Sequence, residues 1–168
     1  RGVDVVELWE DIYDRVAVSK MKEHLLPFLD MHNMYMLAKK GLDERMQELL
    51  DNIREAGEKE VGRTTAFKEV VYPATEAIAC GFSPVSSKFY NPSRACDLIA
   101  PTVERFNEVG FNSDGQRDVI RQSYIELLLR DGRHDMALQL LQERQKQRPN
   151  TPFIKQQIST LQSKKPKV

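Results

Sequence analysis

The stretch DGRHDMALQLLQERQKQRPN (131–150) has the layout of the second half of a helix-turn-helix repeat. Gly132 predicts a tight turn, Ala137 a small residue where two helices cross, and the two leucines after it an apolar face. Pro149 then stops the helix. An isolated surface helix needs none of these residues at these spacings. Helices that pack closely across a turn need all of them, so this stretch predicts one unit of a helical array.

The same periodicity extends along most of the chain. Apolar residues recur every three or four positions, and no segment shows the alternation that is typical of a strand. The predicted helices cover about 4–18, 25–40, 43–57, 64–80 and 92–110, with three more that begin after Ser113, Gly132 and Thr151. Each pair is too short to bury its own apolar face, so the pairs are expected to stack.

Several residues predict where these helices begin. Asp43 is expected to cap a helix that stops at Gly57. The Asn-Pro pair at 91–92 combines a side-chain cap with a proline in the first turn. Ser113 and Gln116 have the spacing of a capping box, in which each side chain bonds to the backbone amide of the other.

Other residues predict ends and interruptions. Gly41 is expected to end its helix in the left-handed conformation. Pro73 predicts a kink or an early break, because proline removes a helical hydrogen bond. The segment 81–93 is rich in Gly, Ser and Pro and predicts a loop. In the last helix, Phe153 is expected on the buried face beside two isoleucines and a leucine.

The repeat has the length of a tetratricopeptide unit when Asp118 is taken as its first position. Ala137 then falls where the two helices cross, Gly132 falls on the turn between them, and Pro149 falls at the end of the second helix. These three positions fit the pattern of a 34-residue unit.

Other positions depart from that pattern. Arg121 stands where a large aromatic residue is preferred, and Ile125 and Arg144 stand where small residues are preferred. A looser copy covers about 64–109, with an inserted loop, and a third pair covers 25–57. The departures concern the residues that set how closely the helices approach.

Two stretches resemble tetratricopeptide repeat protein 38-like proteins. They are FLDMHNMYMLAKKG (28–41) and the long run from YNPSRACDLIAP to RQKQRPN (90–150), in which Gln116–Val119 carries much of the similarity. The resemblance implies a tetratricopeptide-like α-solenoid with no established enzymatic activity. It carries over no catalytic residue.

The predicted fold is therefore all-α, an array of about three helix pairs plus a terminal capping helix. We expect residues 1–163 to form one domain and 164–168 to be a disordered basic tail. The chain begins with Arg1, and we expect it to be a C-terminal piece of a longer protein. No apolar run approaches the roughly 20 residues that cross a bilayer, so we expect a cytoplasmic protein and no membrane partner.

The charge pattern and the cysteine content narrow the kinds of partner and site that the chain could have. The formal net charge is zero, although the region after Gln142 is basic. No aromatic residues alternate with those charges, so a nucleic-acid partner is disfavoured and a solvated helix face is favoured. The two cysteines, Cys80 and Cys96, fit no zinc spacing and are expected to be buried thiols in a reducing compartment.

No catalytic motif is present, and we expect no cofactor. His24 and His32 lie two helical turns apart with Asp30 between them, which leaves open an acid–base or metal site around His32. The simpler interpretation is that His32 is a hydrogen-bonded core residue. His134 is expected to be exposed beside the Gly132 turn.

In the repeat that begins at Asp118, the first helix has a polar face that predicts a binding strip. Gln122, Glu126 and Arg130 fall on one helical face, and Arg117 lies near the start of that helix. The main hypothesis is a scaffold that binds a peptide or protein segment in a helical groove. The alternatives are an enzyme or metal site in the longer parent protein, a self-associating repeat module, and an ordinary solvated face.

Overall fold

The computed structural model describes residues 27–59, 64–111 and 113–163. Within these ranges the chain forms seven helices of at least eight residues and no strand, which confirms the all-α prediction. The helices are α1 (Pro27–Lys40), α2 (Asp43–Lys59), α3 (Tyr72–Phe82), α4 (Pro92–Ile99), α5 (Asp114–Arg130), α6 (His134–Gln147) and α7 (Pro152–Ser163).

Three of the sequence predictions lie outside the described residues. They are the helix over 4–18, the position of His24, and the disordered tail over 164–168. Among the residues described, no helix is both long enough and apolar enough to span a bilayer.

One continuous apolar core joins the seven helices. Helix α3 packs most extensively, against both α1 and α4, while α4, α5 and α6 each contact the next helix in the chain. The buried apolar residues run from Met31 to Leu161 in a single cluster. Ala137 is fully buried, as expected of a small residue at a helix crossing. The core stabilises the array because its apolar surface is removed from water.

The predicted turns are confirmed at three places. Gly41 ends α1 at φ +68° and Gly132 ends α5 at φ +76°, a conformation that costs glycine little. At the start of α5, the amide N–H of Gln116 donates to Ser113 Oγ at 3.1 Å, and the amide N–H of Ser113 donates to Gln116 Oε1 at 3.3 Å. The capping box therefore forms as the sequence predicts.

The predicted start of α2 at residue 43 is confirmed, whereas its predicted end at Gly57 and the capping role of Asp43 were wrong. The helix continues through Gly57 to Lys59, because glycine within a helix costs only about 1 kcal/mol and Gly57 lies against the side chain of Phe67. Asp43 does not act through a side-chain cap of its own helix. Its carboxylate accepts from Ser87 Oγ at 2.6 Å and from the amide N–H of Lys88 at 2.9 Å, so it anchors the loop after α3.

The break expected at Pro73 is confirmed as a π-helical turn. Residues Phe67–Val71 form this turn directly before α3, and the amide N–H of Tyr72 donates to the carbonyl of Phe67. Pro73 has no N–H for the regular helical bond, so the chain widens for one turn before the helix resumes. The predicted helix over 64–80 is therefore interrupted.

The prediction of one helix over 92–110 was wrong. Helix α4 ends at Ile99, and two short 3-10 turns follow, over Ala100–Thr102 and Phe106–Val109. Pro101 explains the early end, because it has no N–H to donate the helical hydrogen bond. The shortened helix leaves space beside α5 and α6.

The expected burial of Phe153 was also wrong. Its side chain is 47% exposed, whereas Ile154, Ile158 and Leu161 of the same helix are buried. In an α-helix, the residues at 154, 158 and 161 share one face, and 153 lies 100° away from it. Phe153 therefore stands on the side of α7 that looks toward α5.

Candidate functional site

A cavity of about 310 Å³ lies between α5 and α7. Helix α1 supplies Tyr35 to it, α3 supplies Phe82, α5 supplies Gln122, and α7 supplies Phe153. Helix α6 adds Arg144, so residues from five helices line the cavity. We call this cavity the α5–α7 groove.

The base of the groove is aromatic and held by hydroxyl groups. The rings of Tyr35 and Phe82 meet edge to face, with centroids 5.0 Å apart. The phenol of Tyr35 donates to Ser123 Oγ, which in turn donates to the carbonyl of Val119 at 2.7 Å. Burial raises the pKa of Tyr35 to about 12, so the phenol remains a neutral donor. These contacts fix the base of the groove.

The three predicted strip residues lie along this groove. Gln122 and Glu126 line it. Arg130 borders it, because its guanidinium stacks over the ring of Phe82 at 4.7 Å. Arg130 also donates from Nε to Glu126 Oε1 at 2.9 Å and from Nη1 to the carbonyl of Gly81 at 3.0 Å. Arg130 therefore joins α5 to α3, in addition to shaping the groove.

A second cavity of about 470 Å³ continues the groove along α7. Phe153 and Gln157 line both cavities, and Leu129 and Thr160 line the second one alone. The exposed ring of Phe153 therefore stands between two hollows, where it offers apolar surface to both.

One end of the groove carries a cluster of charges. Arg144 of α6 lines the groove and donates from Nη2 to Asp118 of α5, with a closest approach of 2.7 Å. Arg148 lies 3.6 Å from the same carboxylate, and Gln122 Nε2 donates to it at 2.8 Å. Both members of the Arg144–Asp118 pair are largely buried, with side chains 12% and 15% exposed. Burial lowers the pKa of Arg144, while Asp118 acts in the opposite direction.

A third cavity of about 320 Å³ opens on the other side of that ion pair. It lies under the early end of α4, between Val103, Tyr124 and Leu140. At its edge, Arg121 bonds to both carboxylate oxygens of Glu104, at 3.2 and 2.7 Å. Ile125 and Arg144, two of the departures from the repeat pattern, line both this cavity and the groove.

Arg117, the fourth residue predicted to bind a partner, is engaged at the start of α5. It donates from Nη1 to the carbonyl of Phe111 at 2.8 Å and from Nη2 to Asp114 at 2.6 Å. The structure does not bring it into the groove with Gln122 and Glu126.

Asp30 and His32, considered above for an acid–base or metal site, do not share one face of α1. Asp30 is buried, while His32 is half-buried and its Nδ1 lies 2.7 Å from the carbonyl of Phe28. Asp30 and His32 are separated by two positions on α1, so their side chains leave the helix in directions that differ by about 200°. In the described part of the chain, no group of three His, Cys, Asp or Glu residues is placed to hold a metal ion. His134 is exposed, as expected, although it is the first residue of α6 and not part of a loop.

Both cysteines are buried free thiols. Burial raises the pKa of Cys80 and that of Cys96 to about 11, so both thiols stay protonated at neutral pH. Their reactivity is therefore low, which agrees with a packing role.

Sequence reasoning missed the apolar part of the groove. Phe82 falls in the predicted loop over 81–93, although the helix before it continues to Phe82, and Phe153 is predicted on the buried face of the last helix. The pattern does not tell which apolar residue lies at the edge of the core, since that depends on how far apart α5 and α7 are held. The exposure of Phe153 had one signal, its position one residue away from the 154–158–161 face.

Comparison with known proteins gives no family. No protein-family model matches the chain, and no solved structure is significantly similar to it.

Proposed function

We propose that this chain is a helical-repeat interaction module that binds a peptide or protein segment in the α5–α7 groove. The observation that carries the proposal is the exposed side chain of Phe153, which lines two neighbouring cavities together with Gln157. An exposed aromatic residue beside a cavity is typical of a binding surface, where it supplies a large apolar contact.

The chemistry of the groove suits a polypeptide. Aromatic and aliphatic groups at its base accept an apolar side chain, and amide groups at its edge, from Gln122 and Gln157, can donate to and accept from a peptide backbone. Gln122 already donates to Asp118, which leaves its carbonyl oxygen as the acceptor toward a ligand.

The repeat architecture belongs to the same proposal. In this proposal, α1–α2, α3–α4 and α5–α6 are the three helix pairs and α7 is the capping helix. The buried Ala137 and the turn at Gly132 support a tetratricopeptide-like unit, and so does the end of α6 at Gln147, two residues before Pro149. We extend this to a tetratricopeptide-like solenoid related to the 38-like proteins, whose groove is formed by the first helices of the pairs.

Affinity capture with quantitative mass spectrometry tests the proposal. The baits are the parent chain, a Phe153→Ala variant, and a matched Met136→Ala variant. Met136 is also a large exposed side chain, at 46% against 47% for Phe153, but it lies on α6 and lines none of the three cavities described above.

We expect a reproducible partner that the parent and Met136→Ala retain and that Phe153→Ala loses. Truncation of an aromatic anchor weakens binding by about tenfold or more. Equal capture by all three chains would contradict the proposed groove. A second copy of this chain as the partner lost by Phe153→Ala would favour the self-association alternative.

A further inference from the structure

The groove has an unbalanced charge at one end. At the other end, Glu126 and Arg130 form a one-to-one pair. At the α6 end, Arg144 and Arg148 share the single carboxylate of Asp118. That carboxylate also accepts from Gln122, so one negative charge serves two guanidinium groups and an amide.

The donors of Arg144 are not all used. Its Nη2 bonds to Asp118, but its Nε is buried and finds no acceptor among the residues that the structure describes. A buried donor without an acceptor costs free energy, and an acceptor supplied by a ligand would remove that cost. Since Arg144 lines the groove, a ligand in the groove reaches the same guanidinium.

The neighbouring helix adds to the positive potential. Phe153 lies in the first turn of α7, a helix of 12 residues with no acidic residue in its first turn. The unpaired amide groups of a helix N-terminus carry a partial positive charge. Arg144 and Phe153 both line the groove, so this charge adds to the positive charge of Arg144 there.

We propose that the α5–α7 groove recognises a peptide segment in which an apolar side chain lies next to an acidic one. The apolar side chain enters the cavity between Phe82 and Phe153. The neighbouring aspartate or glutamate carboxylate accepts from Arg144 and pairs with Arg148. This inference rests on the proposed peptide-binding function and adds the chemistry of the partner to it.

A peptide display library provides the probe. The parent chain and Phe153→Ala are each used to select from random 12-residue peptides. The best Phe153-dependent peptide is then synthesised with blocked termini, together with a form in which each Asp or Glu becomes Asn or Gln. Binding of both forms is measured by fluorescence anisotropy against the parent, Arg144→Gln, Arg148→Gln and Met136→Ala.

We expect the selected peptides to share an acidic residue beside an aromatic or aliphatic one. Replacing the carboxylate by the amide should weaken binding to the parent and to Met136→Ala by about tenfold, as expected for a charge-assisted hydrogen bond. The same replacement should matter little to Arg144→Gln and should have a reduced effect on Arg148→Gln.

The outcomes separate the two proposals. If no peptide depends on Phe153, the peptide-binding function itself is contradicted. If peptides depend on Phe153 but tolerate loss of every carboxylate, the function stands and the acidic specificity is overturned. If Arg144→Gln does not fold, Arg148→Gln decides, because Arg148 is half exposed and its removal leaves the buried pair in place.

Discussion

At the scale of single residues, Gly81 of α3 leaves no room for a side chain against Leu127 of α5. A Cβ atom there would lie 1.9 Å from Leu127 Cδ2 and 3.1 Å from the Cβ of Ala95. Leu127 is fully buried and cannot move aside without disturbing the core. A glycine at this position therefore permits the contact that supports the base of the groove.

We predict that Gly81→Ala lowers the free energy of unfolding by about 1–2 kcal/mol, because the overpacking cost exceeds the gain in helix propensity. Gly115→Ala is the matched control. A Cβ at Gly115 meets only Ser113 Oγ at 3.9 Å, so this variant should be neutral or slightly stabilised. Urea denaturation of both variants measures the difference. A stabilised Gly81→Ala would show that α3 and α5 are further apart than described here.

The sequence correctly predicted the roles of residues that depend only on their neighbours in the chain. Gly41 and Gly132 occupy turns that glycine favours, and their neighbours alone indicate this. The partners of Arg144 were not predictable, because Asp118 lies 26 positions away in the chain. Its position in the repeat indicates only that Arg144 replaces a small residue.

At the scale of elements, the helix starts were predicted well because capping is a short-range interaction. The capping box of Ser113 and Gln116 satisfies amide groups at the start of α5, the helix that carries the groove residues.

We predict that Ser113→Ala lowers the free energy of unfolding by about 1 kcal/mol. Ser86→Ala, an exposed loop substitution, should change it by less than about 0.5 kcal/mol. Thermal or urea unfolding that shows equal effects would contradict the role of the cap.

The loop after α3 depends on Asp43, and this gives a pH prediction. Hydrogen bonds from Ser87 and Lys88 hold the pKa of Asp43 below its ordinary value of 3.8. A carboxyl group with a lowered folded-state pKa stabilises the fold above that ordinary value, and the contribution is lost as the pH falls through the folded-state pKa. The stability advantage of the parent over Asp43→Asn should therefore shrink as the pH falls below about 4.

Urea unfolding of the two chains across that range checks this prediction. Ser87→Ala serves as a second variant, because it removes the largest cause of the lowered pKa of Asp43. The pH-dependent part of the stability difference from the parent should be smaller for Ser87→Ala than for Asp43→Asn. A difference between the parent and Asp43→Asn that stays constant with pH would show that Asp43 does not anchor the loop through its charge.

The end of α4 shows why periodicity misleads. Apolar residues continue at helical spacing from Ala95 to Phe106, and both are buried, although the backbone between them leaves the α-helix at Ile99. Pro101 was the local signal for this end. Arg105 then fixes the irregular turn by bonding to Glu69 and to Glu108, a pairing that no local pattern indicates.

At the scale of the whole molecule, the sequence predicted an all-α chain because nearly every segment has helical periodicity. It predicted the polar strip of Gln122, Glu126 and Arg130, but not the cavity beside that strip. The groove depends on the separation of α5 and α7, and that separation follows from how each packs against α6. That separation is set by how side chains of three different helices pack together, so no single stretch of sequence encodes it.

The proposed partner is a peptide from another protein, so we expect this chain to be a monomer when that partner is absent. Sedimentation equilibrium should give a monomer of 19.4 kDa for the parent chain up to high micromolar concentration. A dimer that Phe153→Ala converts to monomer would assign the groove to a second copy. A dimer that persists in Phe153→Ala would place self-association on another surface.

The central claim is that a peptide binds between α5 and α7, and chemical-shift mapping tests it most directly. The isotopically labelled chain is titrated with the best Phe153-dependent peptide from the display selection. The account predicts that the shifted amide signals cluster at Gln122, Glu126, Phe153 and Gln157. Shifts centred on the third cavity, around Val103 and Leu140, would contradict it, as would the absence of any such peptide.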